Sequence, residues 1–139
     1  MKLTLHHVAV LVSDVRKAAA FYVERFGYEP KTDVIHDPTQ SAYVQFFRLP
    51  TDRAYLELVS PDRSDSKLSN ALKKGGGLNH VCYATDDIEG ACSALRAAGA
   101  FLIARPVSAV AFKGRRIAWL MGPDRLLMEL VERGVEGEL

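Results

Sequence analysis

The sequence predicts an α+β fold made of two tandem βαβββ modules, and three landmarks carry that prediction. LHHVAVLVSDV at 5–15 returns as LNHVCYATDDI at 78–88, matching at Leu5/Leu78, His7/His80, Val8/Val81 and Asp14/Asp87. Gly27 returns as Gly99, and DRAYLELV at 52–59 returns as DRLLMELV at 124–131. The shift is 73 residues at the first landmark and 72 at the other two, implying a one-residue deletion after the first helix. One near-constant shift joining three landmarks marks an internal repeat, which chance repetition of an octapeptide does not.

Each module then reads in the same order. LTLHHVAVLV is rich in β-branched residues and predicts a strand. SDVRKAAAFYVERFG places Val15, Ala18, Ala19, Tyr22 and Phe26 at helical spacing, with Ser13 or Asp14 as N-cap and Gly27 as the stop. PKTDVI suggests a weaker strand, and AYVQFFRL followed by AYLELVS predicts an antiparallel hairpin. The second module repeats this with a stripe of Ile88, Ala91, Cys92, Leu95 and Ala98, a strand at FLIARP, and a hairpin of RRIAWLM and RLLMELVE. Module 1 covers about residues 4–61 and module 2 about residues 78–132 of a single domain, 1–139. The linker, 62–77, can form a short helix with Leu68, Ala71 and Leu72 on one side, and Gly75–Gly77 suggest a flexible passage into module 2. RGVEGEL at the end is the segment closest in composition to disorder.

Composition narrows the function. At 139 residues the chain is long enough to bury a core without staples. Eighteen basic residues balance 17 acidic ones, which argues against nucleic acid or an anionic membrane and for a small-molecule partner. Two cysteines, Cys82 and Cys92, are too few for a disulfide framework, so a reduced, cytoplasmic setting is expected. The amino terminus lacks a signal-type apolar run and no stretch has membrane-spanning length, so a soluble, unprocessed protein is expected.

Strand alternation exposes four residues that do not fit their faces. His7 shares a face with Leu5, Ala9 and Leu11, and His80 with Leu78, Cys82 and Ala84; Glu57 lies between Tyr55 and Val59, and Glu129 between Leu127 and Val131. An unpaired buried carboxylate costs several kcal/mol, so a glutamate repeated in both modules needs solvent, a cation or a proton. A strand histidine taken alone reads as a hydrogen-bonded core residue. Two histidines and two glutamates at equivalent positions read instead as the ligands of one divalent metal ion, Co, Ni, Zn, Mn or Fe, with positions left open for substrate. His6 falls on the opposite face and His36 in a polar stretch, both read as structural or exposed. Cys82 reads as packing, and Arg115 and Arg116 as a solvated pair at a strand's start.

LHHVAVLVSDVRKAAAFYVERFG, YLELVSP, GGGLNHVCYATDDIE and LLMELVE resemble the vicinal oxygen chelate superfamily, the glyoxalase and bleomycin-resistance group, and within it the methylmalonyl-CoA epimerase-like proteins. The resemblance spans about residues 4–132. It implies a cup-shaped, curved mixed sheet with helices outside, a homodimer, and a metal held by His7, Glu57, His80 and Glu129. It further implies an isomerase or epimerase that removes a proton α to a carbonyl, with an acyl-CoA thioester such as methylmalonyl-CoA as substrate. Epimerases of this group carry a glutamate before Gln-Gly after the first helix, a candidate base. HDPTQSAYVQF puts Thr39 there, which cannot act as a base near neutral pH. The role falls to Glu129 or Glu57, with Glu129 the candidate catalytic residue and Gln45 a candidate substrate contact from the same concave surface. Alternatives are a lactoylglutathione lyase of glyoxalase I type and a non-catalytic protein that binds a drug or metabolite; an extradiol dioxygenase fits less well, because Glu57 would occupy a position that oxygen or catechol needs.

Overall fold

β1 (Leu3–Leu11) opens a chain whose remaining elements follow the predicted order twice. The computed structural model describes residues 1–139 and divides into two compact units, His7–Asn79 and Met1–His6 with His80–Leu139. The α+β class and the βαβββ order stand as the sequence predicts. No helix is long and apolar enough to cross a membrane.

In the first unit, α1 (Val15–Phe21) begins where the Asp14 carboxylate accepts the Arg16 and Lys17 amides at 2.9 and 3.2 Å. The chain continues as a wider π turn over Tyr22–Phe26 and stops at Gly27, whose φ of 79° suits glycine. The wide turn takes Phe26 off the predicted stripe and leaves it exposed against Phe21 and Tyr22. Val15, Ala18, Ala19 and Tyr22 pack as expected with Phe47, Leu56 and Leu58. PKTDVI resolves into β2 (Glu29–Pro30) and β3 (Ile35–Asp37), both antiparallel to β4 (Ala42–Arg48). β4 pairs antiparallel with β5 (Tyr55–Pro61), and β5 pairs parallel with the His7–Leu11 end of β1.

After α2 (Ser69–Lys73) Gly76 alone of the three glycines lies tightly against neighbouring backbone, while Gly75 and Gly77 have open space around them. A Cβ at Gly76, with φ of 64°, would stand 2.7 Å from the Leu11 carbonyl oxygen.

In the second unit β6 (Gly77–Thr85, from His80) pairs parallel with β9 (Leu127–Glu132), which pairs antiparallel with β8 (Arg116–Met121), and β8 with β7 (Phe101–Ser108). α3 (Ile88–Ala97) starts at Asp87, which caps the Gly90 amide, and buries Ile88, Ala91 and Cys92 against Ala118, Leu120 and Leu130. The terminal segment is tied down, contrary to its composition. Arg115 donates to the carbonyls of Phe112, Glu132 and Leu139, and Arg116, solvated as expected, also pairs with Glu132 and Glu89.

The strand registers refine the repeat. Phe46 pairs with Glu57 and Trp119 with Glu129, so β4 and β8 correspond at a shift of 73 rather than 72. Turn lengths account for the return to 72: residues 49–54 join the first hairpin and only 122–126 the second.

Candidate metal centre

Each unit places one histidine and one glutamate on the same face of its sheet. In the first, His7 and Glu57 come from neighbouring parallel strands, with Ala9 opposite Glu57 on β1 and Phe46 opposite it on β4. The His7 and Phe46 rings meet edge to face at 5.2 Å. The second unit repeats the plan: Cys82 lies opposite Glu129 on β6, Trp119 opposite it on β8, and the His80 and Trp119 rings meet edge to face at 4.7 Å. An aromatic ring thus sets each imidazole's orientation, and neither ring was singled out from sequence. Their signal was available as the residue across the hairpin from each glutamate, but reading it needs the turn length.

All four polar residues are buried, none more than 6 % exposed. His7 Nε2 and Glu57 Oε1 are 3.6 Å apart, and His80 Nε2 and Glu129 Oε2 are 3.5 Å apart. These separations exceed an ordinary hydrogen bond of about 2.7–3.2 Å. They are close to the roughly 3.0–3.4 Å between two ligands each standing about 2.1 Å from one ion. Imidazole nitrogen and carboxylate oxygen are the donor set for a borderline divalent ion. The residues of each half therefore fit metal ligation.

The halves differ beside their glutamates. The Cys82 thiol donates to Glu129 Oε1 at 3.5 Å, so this cysteine does more than pack, whereas Ala9 offers Glu57 only a methyl group. Gln45 is a correction. It pairs with Leu58, one register step from Glu57, and so lies on the face that packs against α1; its amide donates to the Thr32 carbonyl at 2.9 Å. Thr39 is exposed in the turn before β4. Asp37, unnoticed in the sequence, is buried there and accepts the Gln40 amide at 3.2 Å.

The other histidines stand apart in chemistry. His36 is exposed and bonds Asp62 at 2.9 Å. His6 is buried edge-on to Phe112, and desolvation lowers its pKa to about 4, with Arg115 acting in the same direction and a backbone bond to Leu139 against it.

Sequence comparison decides the family, because the profile of the Glyoxalase/Bleomycin resistance protein/Dioxygenase superfamily matches residues 6–119. The chain belongs to that superfamily. An ethylmalonyl-CoA/methylmalonyl-CoA epimerase of Cereibacter sphaeroides is 31% identical over 122 residues, covering 86% of this chain and 89% of that one. The chain spans about half the length of the mouse and cattle methylmalonyl-CoA epimerases it also matches. Among solved structures, methylmalonyl-CoA epimerase from Mycobacterium tuberculosis superposes with a TM-score of 0.77 at 25% identity, covering 94% of this chain and 87% of that one. A Streptomyces coelicolor methylmalonyl-CoA epimerase variant in complex with 2-nitronate-propionyl-CoA gives a TM-score of 0.82 at 24% identity, over 96% and 100%.

Proposed function

We propose that the chain is a metal-dependent epimerase of an acyl-CoA thioester of the methylmalonyl type, in which His7, Glu57, His80 and Glu129 together hold one divalent cation. The observation that carries the reading is the repetition of a buried His–Glu pair, with ligand-like spacing, at equivalent strand positions of both modules. Likeness to an ethylmalonyl-CoA/methylmalonyl-CoA epimerase over most of both chains supports the substrate class. Cytoplasmic location and a homodimer belong to the same proposal.

A divalent cation held by these four residues would supply Lewis-acid chemistry, lowering the cost of the negative charge that develops on the thioester carbonyl. The chain's own residues do the rest. Glu129 takes the α-proton, and the Cys82 S–H bond holds one carboxylate oxygen so that the other faces its task. Inversion needs a proton delivered from the opposite face of the planar intermediate, and Glu57 is the remaining buried carboxylate of the set. His7 and His80 act as ligands, oriented by Phe46 and Trp119.

Thr39 supplies a reason for a second reading. The usual epimerase base is replaced by a residue that cannot accept a proton near neutral pH, while both modules carry a carboxylate at the ligand position. That set suits lactoylglutathione lyase chemistry, which also moves a proton on carbon beside a carbonyl. The test is solvent deuterium incorporation into methylmalonyl-CoA by metal-loaded protein, beside turnover of the methylglyoxal–glutathione hemithioacetal. Deuterium at the α-carbon is the expected result; turnover of the hemithioacetal alone would replace the epimerase by the lyase.

A further inference from the structure

Arg48 is a cation left without a counter-ion on the sheet face that carries Glu57. Phe46 pairs with Glu57 and Phe47 with Leu56, so the next step of the hairpin sets Arg48 opposite Tyr55, and strand alternation puts both on the face of Phe46 and Glu57. The guanidinium lies over the Tyr55 ring at 5.0 Å, and its Nη1 donates to the Tyr55 hydroxyl at 3.2 Å. Tyr55 in turn meets Phe46 edge to face at 6.4 Å, and Phe46 meets His7 at 5.2 Å. Within the first unit, a continuous row of side chains thus runs from the guanidinium to the His7–Glu57 pair. Arg63, Arg115, Arg116 and Arg133 are also held in place, but each of them by a carboxylate. A ring and a hydroxyl hold Arg48, which leaves most of its N–H donors unused and its charge uncompensated. It is only half-buried, so an anion from outside the chain can reach it. The other module has Met121 opposite Leu127 at the equivalent step. The hairpin itself therefore requires neither the charge nor the ring.

We infer that the Arg48 guanidinium binds the free carboxylate of the acyl group and so selects a dicarboxylic acyl thioester over a plain one. This rests on the acyl-CoA reading above and adds a specificity-determining residue to it. Arg48 stands one two-residue step from Phe46, about 7 Å along the strand, a distance that an arginine side chain spans. In a malonyl-type acyl group the carboxylate sits on the carbon that loses its proton, so it stays close to the His7–Glu57 pair. The phosphates of coenzyme A lie beyond the whole pantetheine arm, which leaves the acyl carboxylate as the anion within reach. A guanidinium matches a carboxylate with two parallel N–H···O bonds, and Tyr55 already fixes the plane of this one. An acyl group without the carboxylate cannot make that pair, and the site discriminates against it.

The test compares metal-loaded wild type with Arg48→Met, which copies the other module, and with Arg48→Lys, which keeps the charge and loses the fork. Calorimetry measures binding of methylmalonyl-CoA, of propionyl-CoA, which lacks the free carboxylate, and of coenzyme A, which keeps only the phosphates. Arg48→Met is expected to weaken methylmalonyl-CoA by ~10–100-fold and the other two by less than about three-fold. Arg48→Lys should show a smaller loss, again for methylmalonyl-CoA alone, and it decides the matter if circular dichroism finds Arg48→Met unfolded. An equal loss for all three ligands would move the contact to the phosphates. Unchanged affinity for methylmalonyl-CoA in the folded variants would make the residue structural. Either result overturns the inference and leaves the acyl-CoA reading intact, whereas wild type that binds none of the three would overturn both.

Discussion

The two halves of the candidate centre are alike in their ligands and unlike in everything beside them. His7 and Glu57 stand among Ala9 and Phe46, groups without a proton to give; His80 and Glu129 stand among a thiol and an indole N–H. Ligand spacing agrees within 0.1 Å between halves, at 3.6 and 3.5 Å. The buried His–Glu pair is found twice, and a hydrogen-bond donor beside its glutamate only once. The difference teaches that, on the function proposed above, the modules would share an ion and divide the chemistry.

That division is broken most directly by exchanging each glutamate for its amide. Glu129→Gln keeps a ligand oxygen and loses the base, so kcat for α-proton exchange should fall by ~10²–10⁴-fold with metal content retained. Glu57→Gln should lower it by about ten-fold or less. Equal losses in the two variants would remove the distinction between halves.

The aromatic partners differ in burial, which sharpens the comparison on stability. Phe46 is fully buried and Trp119 only partly. Phe46→Ala should cost about 3–5 kcal/mol by urea denaturation, and Trp119→Ala less. The reverse order would contradict the assignment of Phe46 as the more deeply packed ring.

Adjacent histidines provide a third contrast, since His6 packs in the second unit while His7 belongs to the first. Burial lowers the His6 pKa from 6.5 to about 4, so the fold favours its neutral form and the unfolded chain takes up the proton first as pH falls. Stability from this group is complete above about pH 6.5 and is lost as pH drops toward 4, by at most about 3 kcal/mol. His6→Leu should flatten that part of the stability–pH curve; an unchanged slope would show that His6 is not its source.

The smallest expected effect comes from making the second half resemble the first. Cys82→Ala removes one weak bond to Glu129, worth about 1 kcal/mol, and should reduce kcat a few-fold with KM nearly unchanged. A rise in KM alone would assign the thiol to substrate binding instead.

The four candidate ligand residues are legible because they repeat, and because a charged or imidazole group interrupting an apolar strand face twice has a physical cost that demands an explanation. Module order was legible for the same reason. What surrounds the ligands was not. Side-chain direction in a strand reverses with a one-residue slip, and the register of each hairpin depends on turns whose lengths differ between modules. Gln45 therefore lies on the face opposite the expected one, and strand alternation does not single out Phe46 or Trp119. The π turn that exposes Phe26, and the backbone approach that fixes Gly76, depend on packing that helical spacing and glycine content do not encode.

The central claim is that two His–Glu pairs serve one ion, and metal stoichiometry tests it without knowledge of the substrate. Elemental analysis and titration on wild type, His7→Ala and His80→Ala, each checked for folding by circular dichroism, should give one divalent ion per chain in wild type and none held tightly in either folded variant. Two ions per chain, no ion in folded wild type, or an ion kept at full affinity by one of the variants would contradict the account.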